Sequence, residues 1–419
     1  MKEFLPLLLL LPLPALAGPP CGDLSGPAAQ AAALVAEKPA GLEKVFDKSV
    51  FSHISKEKLA GVFSELRRGH GAVAARVFVS SDAACSAHYL FDTDRGWRVP
   101  VALSLNPATG KLAGIFFSPP YRRDMTLAKA REELAALPGR AGLLALKLGE
   151  KTEQVEALNP DAPMAVGSAF KLYVLGALLE NGVPWDRLYR LREEDKSLPG
   201  GRLQDWPDGS PLTAHTLAAL MISESDNTAT DTLLRALGRR RVEAALPALG
   251  HSAPERLRPF LSTGEFFRLK ADSEAALKYR ALEGEERYVF LDSLARAPLS
   301  AAGLRPSPFG LDSVEWHASP ADLCRAMAYF LRRDDKAALD ILAINPGLKT
   351  PRGCLYAGYK GGSEPGVLAM AWLLKDARSD WYCLAAGWND ETAALDEGKF
   401  FSVMQGALEA LAGRAAAGL

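Results

Sequence analysis

The sequence is poor in the residues from which metal and redox sites are built. Its 419 residues include only five cysteines and six histidines. No two cysteines form a Cys-x-x-Cys pair, and the histidines do not stand at metal-ligand spacing. We therefore expect no metal site and no cofactor.

An excess of charge of one sign is also lacking. Lys and Arg number 49 against 50 Asp and Glu, which gives a formal net charge of −1. This balance gives no electrostatic reason to expect a nucleic acid or an anionic membrane as a partner. The hydrophobic fraction of 48% and the charged fraction of 24% are those of a globular protein. A chain of this length favours two domains.

The N-terminus carries an apolar, leucine-rich run at residues 4–13, after Met1-Lys2. The small residues Ala15-Leu16-Ala17 follow, and this pattern predicts a signal peptide over residues 1–17 and export to the periplasm or the extracellular space. The run is short and interrupted by prolines, which argues against a transmembrane anchor. Cys21 leaves a lipid anchor as an alternative. In an exported chain, Cys21 and Cys85 are candidates for a disulfide.

The pattern of apolar residues changes near residue 120. In residues 27–70 the apolar residues recur at intervals of three and four, as in helices. The segments 73–79, 88–91, 97–105 and 112–117 have the pattern of β-strands. Helices followed by an antiparallel meander predict a small α+β domain over residues 18–122.

Residues 123–419 predict a second α+β domain. A helix at 126–137 and a hairpin of 141–148 with 154–158 precede a mainly helical stretch at 168–342. Three strands at 355–360, 367–374 and 381–387 and a helix at 398–411 close the chain. The early and late strands are expected to form one antiparallel sheet built from both ends of the domain.

The first candidate for chemistry is the string Ser168-Ala-Phe-Lys171. We expect Ser168 in the first turn of a helix, where the i, i+3 spacing puts it on one face with Lys171. Apolar neighbours bury this turn, and desolvation lowers the pKa of a lysine. Lys171 is therefore a candidate proton acceptor for the Ser168 hydroxyl. The pattern alone is weak evidence, because Ser55-Lys-Glu-Lys58 repeats it on a predicted exposed helix.

Two further strings follow along the chain. Ser225-Asp226-Asn227 connects two predicted helices, and helix capping by Asp226 or Asn227 is its structural alternative. Lys360-Gly361-Gly362 is expected to end a strand, and its glycines allow a backbone edge to approach a ligand closely. The order of the three strings favours a serine nucleophile whose proton is moved by lysine and serine rather than by histidine.

This arrangement resembles the class A β-lactamase and penicillin-binding protein superfamily over about residues 125 to 415. The preceding small domain is similar to the cystatin-like or nuclear-transport-factor-like domain of a two-domain branch of these serine hydrolases. The resemblance implies that Ser168 is the nucleophile, Lys171 a proton acceptor or relay, and Ser225 the proton shuttle toward the leaving group.

The same resemblance implies the binding residues. Asn227 would contact the substrate amide, Asp226 would hold the loop, and Lys360 would help to bind a substrate carboxylate. The N–H groups of Ser168 and Ser363 would form the oxyanion hole, with Gly361 and Gly362 beside the substrate. The implied substrate is a small-molecule or peptidoglycan-derived acyl donor.

The sequence departs from this pattern in two places. Gly361 replaces the usual hydroxyl residue of the third string, and Ser363 is a candidate substitute. A hydrolytic class A enzyme also uses a glutamate on an omega-shaped loop, but residues 299–310, before the helix start Ser319-Pro320, contain no carboxylate. Glu315 is the nearest candidate base. Without such a base we expect an acyl-enzyme that forms and then persists.

Other function classes fit less well. A Ser-His-Asp esterase requires a Gly-x-Ser-x-Gly elbow, which Gly167-Ser-Ala-Phe does not provide. An acyl esterase or D,D-peptidase that uses the same serine remains an alternative. A module that binds penicillin or peptidoglycan without turnover is the non-enzymatic alternative.

Overall fold

The computed structural model describes residues 24–81, 85–198, 200–295, 297 and 299–417, without the side chains of Ala302 and of residues 414–417. The predicted signal peptide and Cys21 lie outside these residues. The chain divides into two units. The first contains the described residues up to 130 and residues 398–413, and the second contains the described residues of 131–397 and 414–417.

The first unit places helices against an antiparallel sheet. Its elements are α1 (Ser25–Ala33), α2 (Leu42–Val45), α3 (Lys56–His70), β1 (Val73–Ser81), β2 (Ser86–Thr93), β3 (Trp97–Asn106), β4 (Lys111–Phe117) and β5 (Tyr121–Arg122). The strands lie in the order β1-β2-β3-β4, and β5 also pairs with β3. This arrangement confirms the predicted helices and meander, whereas the likeness to a cystatin-like domain stays a prediction.

Aromatic side chains form the core of this unit. Phe63 of α3 is fully buried, and its ring lies 6.2 Å from that of Phe46 and 5.6 Å from that of Phe117. Ser55 accepts a hydrogen bond from the Lys58 N–H and caps α3, so this second Ser-x-x-Lys string begins a helix. Cys85 is disulfide-bonded.

The second unit is built on one five-stranded antiparallel sheet. Its strands are β6 (Arg140–Leu148), β7 (Glu153–Leu158), β12 (Tyr356–Glu364), β13 (Val367–Lys375) and β14 (Trp381–Asn389). They lie in the order β12-β13-β14-β6-β7, because β14 pairs with β13 on one side and with β6 on the other. The prediction of a sheet built from both ends of the domain is confirmed.

Helix α4 (Leu127–Ala135) precedes β6. Helices and short strands fill the segment between the two halves of the sheet. They are β8 (Met164–Ala165), α5 (Lys171–Glu180), β9 (Leu188–Arg190), β10 (Pro211–Thr213), α6 (Ala214–Ser223), α7 (Asn227–Leu237), α8 (Arg239–Ala245), α9 (Thr263–Ala271), α10 (Ser273–Ala281), α11 (Gly284–Leu294), β11 (His317–Ala318), α12 (Pro320–Arg333) and α13 (Lys336–Ala343). The last helix of the chain is α14 (Glu397–Ala417). None of the helices described is both long and apolar enough to cross a membrane.

The core of the second unit surrounds α5. Every residue from Lys171 to Leu179 is buried. Phe170, directly before α5, stacks on Trp316 at a ring distance of 3.8 Å and meets the edge of Phe260 at 5.7 Å. These aromatic contacts fix the entrance of the helix.

Two boundaries differ from the sequence expectations. A 3-10 turn at Gly167–Phe170 precedes α5, so Ser168 lies in a tighter turn than expected. Strand β12 continues to Glu364, so Lys360 lies inside the strand rather than at its end. Cross-strand pairing extends over the whole of β12 and keeps the glycines in the sheet.

Candidate active site

The candidate site lies where the 3-10 turn before α5, the α6–α7 connection and β12 meet. Ser168 is partly exposed in the 3-10 turn, and Lys171 follows three residues later as the first residue of α5. Residues three apart nearly eclipse one another in a 3-10 turn, so both side chains project to the same side.

Lys171 is completely buried and surrounded by oxygen atoms. Its Nζ lies 2.6 Å from the Ser225 carbonyl oxygen, 2.7 Å from Asn227 Oδ1 and 3.1 Å from Ser225 Oγ. Burial, together with the nearby charge of Lys360, lowers the pKa of Lys171 well below its usual value. A neutral lysine amine has two hydrogens and one lone pair. The two hydrogens can be donated to the Ser225 carbonyl oxygen and to Asn227 Oδ1, and the lone pair can accept the hydroxyl hydrogen of Ser225.

Lys360 approaches the same hydroxyl from β12. Its Nζ lies 3.1 Å from Ser225 Oγ and donates to the Gly361 carbonyl oxygen at 2.6 Å. Burial lowers the pKa of Lys360 to about 7. Two lysines with lowered pKa values therefore lie within hydrogen-bond distance of one serine hydroxyl.

Ser225 has an uncommon backbone conformation. Its backbone φ of 56° lies in the left-handed region, which residues other than glycine and asparagine rarely adopt. Residues held in such conformations concentrate at functional sites. In this conformation, the carbonyl oxygen and the hydroxyl of Ser225 both lie within hydrogen-bond distance of Lys171 Nζ.

Asp226 and Asn227 hold the loop around the site. Asp226 Oδ1 accepts from the Ala229 N–H at 2.8 Å and caps α7, while Oδ2 accepts from the N–H groups of Arg202 and Leu203. Asn227 donates its side-chain amide to the Leu198 carbonyl oxygen at 3.1 Å. Asp226 thus caps α7, the structural role considered for it, whereas Asn227 Oδ1 accepts a hydrogen bond from Lys171.

Strand β12 lies directly against the turn that carries Ser168. A Cβ atom on Gly362 would collide with the Val166 carbonyl oxygen and the Ser168 nitrogen, and would lie 2.7 Å from the Ala169 nitrogen. A Cβ on Gly167 would lie 3.2 Å from the Ser363 nitrogen. The backbones of Ser168 and Ser363 are therefore neighbours, as a two-donor oxyanion hole requires. The side chain of Ser363 is exposed.

Comparison with known proteins gives the family of the segment that carries the first two strings. Residues 126–295 match the model of the beta-lactamase enzyme family. This segment is therefore similar to the beta-lactamase enzyme family. The matched residues include Ser168, Lys171 and Ser225, whereas Lys360 lies beyond them.

Solved structures similar to this chain include a beta-lactamase from Sphaerobacter thermophilus, with 21% identity over 68% of this chain and 96% of that chain and a TM-score of 0.48. A beta-lactamase from Chitinophaga pinensis has 17% identity over 69% of this chain and 98% of that one, with a TM-score of 0.46. The protein PBP-A has 17% identity over 70% and 96%, with a TM-score of 0.48. No curated protein matches the chain.

Glu315, the candidate base, is held in a different group of charges in the second unit. Its side chain is fully buried, and Oε1 lies 2.8 Å from Lys270 Nζ, which also contacts Glu364 Oε1 at 2.8 Å. Burial alone would lower the pKa of Lys270, but the charges of the two glutamates raise it. Burial and the neighbouring Glu315 raise the pKa of Glu364 well above its usual value. The structure does not bring Glu315 together with Lys171.

Asp231 is a buried carboxylate that was not among the site residues predicted from the sequence. Its oxygens accept from the N–H groups of Thr263 at 2.7 Å and Gly264 at 2.8 Å, in the first turn of α9. Burial raises the pKa of Asp231 to about 7, and its charge acts on Lys171. The available signal was its position four residues after Asn227, on the same face of α7.

The described residues offer no cluster of three or more His, Cys, Asp or Glu side chains that could hold a metal ion. Cys324 and Cys383 are buried free thiols.

Proposed function

We propose that the protein is an exported serine acyl hydrolase that forms an acyl-enzyme on Ser168 and releases it slowly. The observation that carries this proposal is the group formed by Lys171, Ser225 and Lys360 next to the turn of Ser168. The lowered pKa of Lys171 provides a proton acceptor, and the Ser225 hydroxyl provides a proton donor, without histidine.

The proposed acylation begins at Ser168. The Ser168 hydroxyl attacks the carbonyl carbon of the acyl donor, and its proton passes to the neutral amine of Lys171. The oxyanion accepts hydrogen bonds from the N–H groups of Ser168 and Ser363. When the carbon–nitrogen bond breaks, Ser225 donates its proton to the leaving nitrogen, and Lys171 returns the proton to Ser225. The acyl group then remains as an ester on Ser168.

The deacylation step lacks a suitable base. Among the described residues no carboxylate is hydrogen-bonded to Lys171, Ser225 or Lys360. Glu315 is paired with Lys270, and the two oxygens of Asp231 accept backbone hydrogen bonds. Activation of water for hydrolysis of the ester is therefore weak. This favours a penicillin-binding or D,D-peptidase type of reaction over efficient β-lactam hydrolysis.

The substrate in this proposal is a small acyl donor that carries a carboxylate, such as a β-lactam or a peptide derived from peptidoglycan. Lys360 supplies the positive charge that attracts the carboxylate, and Asn227 binds the amide. Export through residues 1–17 would bring the protein to such substrates. No nucleic acid is part of the proposed function.

Intact-mass spectrometry tests the proposal. Wild-type protein and Ser168→Ala are incubated with benzylpenicillin or with a fluorophosphonate probe, and the adduct is followed after free reagent is removed. We expect one covalent adduct on the wild type that persists for many minutes, and none on Ser168→Ala. A wild type without adduct, or an equal adduct on Ser168→Ala, contradicts the nucleophile. Clearance within seconds contradicts slow release.

A further inference from the structure

The phenol of Tyr359 occupies the space that a side chain at position 361 would fill. Tyr359 and Gly361 lie on the same face of β12, two residues apart. A Cβ atom on Gly361 would collide with the Tyr359 hydroxyl oxygen and would lie 2.8 Å from Cζ of the ring. The Tyr359 hydroxyl oxygen therefore lies close to the position that the hydroxyl oxygen of a serine or threonine at 361 would take.

The ring of Tyr359 is held in this orientation by its neighbours. It packs on Trp372, its cross-strand partner, at a ring distance of 4.9 Å. A Cβ on Gly347 would lie 2.7 Å from Cδ1 of the same ring, so the loop before β12 closes over it. Trp372 Nε1 donates to the Pro346 carbonyl oxygen at 2.8 Å and fixes that loop. The position of the hydroxyl is thus determined by packing.

The loop that covers Tyr359 also contacts the segment leading to Ser225. Asn345 donates its side-chain amide to the Ser223 carbonyl oxygen at 2.8 Å. Lys360, the residue after Tyr359, reaches Ser225 Oγ from the opposite face of β12. Tyr359 is therefore next in the chain to a member of the group formed by Lys171, Ser225 and Lys360, and the loop that covers it contacts the residues before Ser225.

The Tyr359 hydroxyl makes no hydrogen bond within the part of the chain that the structure describes, and the residue is half-buried. By contrast, Tyr356 on the same strand donates its hydroxyl to the Leu339 carbonyl oxygen at 2.7 Å. Burial raises the pKa of Tyr359, so the phenol keeps its proton and remains a donor at neutral pH.

We propose that the Tyr359 hydroxyl donates a hydrogen bond to the carboxylate of the acyl donor and so replaces the hydroxyl that Gly361 lacks. This inference rests on the proposed function. Lys360 supplies charge to the same carboxylate, and the phenol supplies a directed donor. Gly361 is then required, because a larger residue would displace the phenol.

Paired substrates test this assignment through the rate of acylation. Tyr359→Phe keeps the ring on Trp372 and removes only the hydroxyl. We expect it to lower the rate of acylation by benzylpenicillin about tenfold to a hundredfold, the range for a hydrogen bond to a charged group. Acylation by the methyl ester of benzylpenicillin, which has no carboxylate, should not change. Equal rates for wild type and variant with benzylpenicillin, or equal losses with both substrates, overturn the assignment.

Two further variants separate binding from folding. Tyr356→Phe is the matched control and should leave both rates unchanged. The double variant Tyr359→Ala with Gly361→Thr opens the space and returns a hydroxyl to position 361, so it should recover acylation by benzylpenicillin relative to Tyr359→Ala alone. No recovery in a double variant that melts like the wild type counts against a shared hydroxyl position.

A binding measurement distinguishes failure of this assignment from failure of the proposed function. Calorimetry with benzylpenicillin on Ser168→Ala, with and without Tyr359→Phe, requires no acylation. We expect Tyr359→Phe to raise the Kd about tenfold or more. An unchanged Kd, or absence of binding to Ser168→Ala, overturns the role of Tyr359. A wild type that binds but forms no adduct contradicts only the proposed reaction.

Discussion

The Nζ atoms of Lys171 and Lys360 lie at the same distance, 3.1 Å, from the Oγ of Ser225. Two buried amines that share one hydroxyl cannot both carry a charge without a large free-energy cost. Burial and the charge of Lys360 accordingly lower the pKa of Lys171, and burial lowers that of Lys360 to about 7. One lysine can then accept a proton while the other attracts an anion.

The first prediction concerns pH. Because the pKa of Lys360 is about 7, this side chain is cationic below pH 7 and loses its charge as the pH rises through that value. We expect the rate of acylation by benzylpenicillin to fall across this range, whereas acylation by its methyl ester should not fall. Lys360→Arg, which stays charged, should abolish the decline. A decline that persists in Lys360→Arg would assign it to another group.

The second prediction concerns the proton acceptor. Lys171→Met should lower the rate of acylation about a hundredfold to ten-thousandfold, the range for loss of a general base. Lys58→Met is a matched control, because Lys58 also follows a serine by three residues but lies exposed in α3. Stopped-flow measurement of acylation should show no change for Lys58→Met. A Lys171→Met protein that acylates at the wild-type rate contradicts the role of Lys171.

The third prediction concerns the contact between β12 and the turn of Ser168. Gly362→Ala would drive a methyl group into the backbone at Val166 and Ser168, which cannot yield as a flexible side chain can. We expect loss of acylation and a lower melting temperature. Gly149→Ala, in the β6–β7 turn, places its Cβ no closer than 3.6 Å to a neighbour and should be tolerated. Wild-type acylation in Gly362→Ala would exclude the close backbone contact.

The fourth prediction separates Glu315 from catalysis. Lys270→Met leaves Glu315 and Glu364 facing one another without their cation, so we expect the free energy of unfolding to fall by about 3 kcal/mol at pH 7. Burial and Glu315 raise the folded-state pKa of Glu364 above its unfolded value, and without Lys270 nothing offsets this, so the loss should shrink as the pH falls toward 4. Urea unfolding at several pH values measures this.

Glu315→Gln provides the kinetic half of that test. It keeps the shape of the side chain and should leave the lifetime of the Ser168 adduct unchanged. A marked increase in the lifetime would identify Glu315 as the deacylating base.

The sequence predicted the parts of this protein that depend on local spacing. Ser168 and Lys171 are close in the chain, and apolar periodicity identified the strands that form both halves of the sheet. The Ser55 string had the same spacing, and only its position as the cap of α3 separates it from the site.

The remaining site residues depend on contacts between distant segments. Asp231 meets Thr263 across the α7–α9 contact, and Glu364 meets Lys270 across the domain. Tyr359 is close to Gly361 in the chain, but its role depends on how Trp372 orients the ring. Spacing in the sequence carries no information on such contacts.

Peptide mapping by mass spectrometry of the benzylpenicillin-treated protein is the most direct test of an acyl-enzyme on Ser168. Wild-type protein is digested soon after free penicillin is removed and again after an hour. We predict the adduct on the peptide that contains Ser168 at both times. An adduct located on the peptide of Ser225 or Ser363, or no adduct at either time, would contradict it.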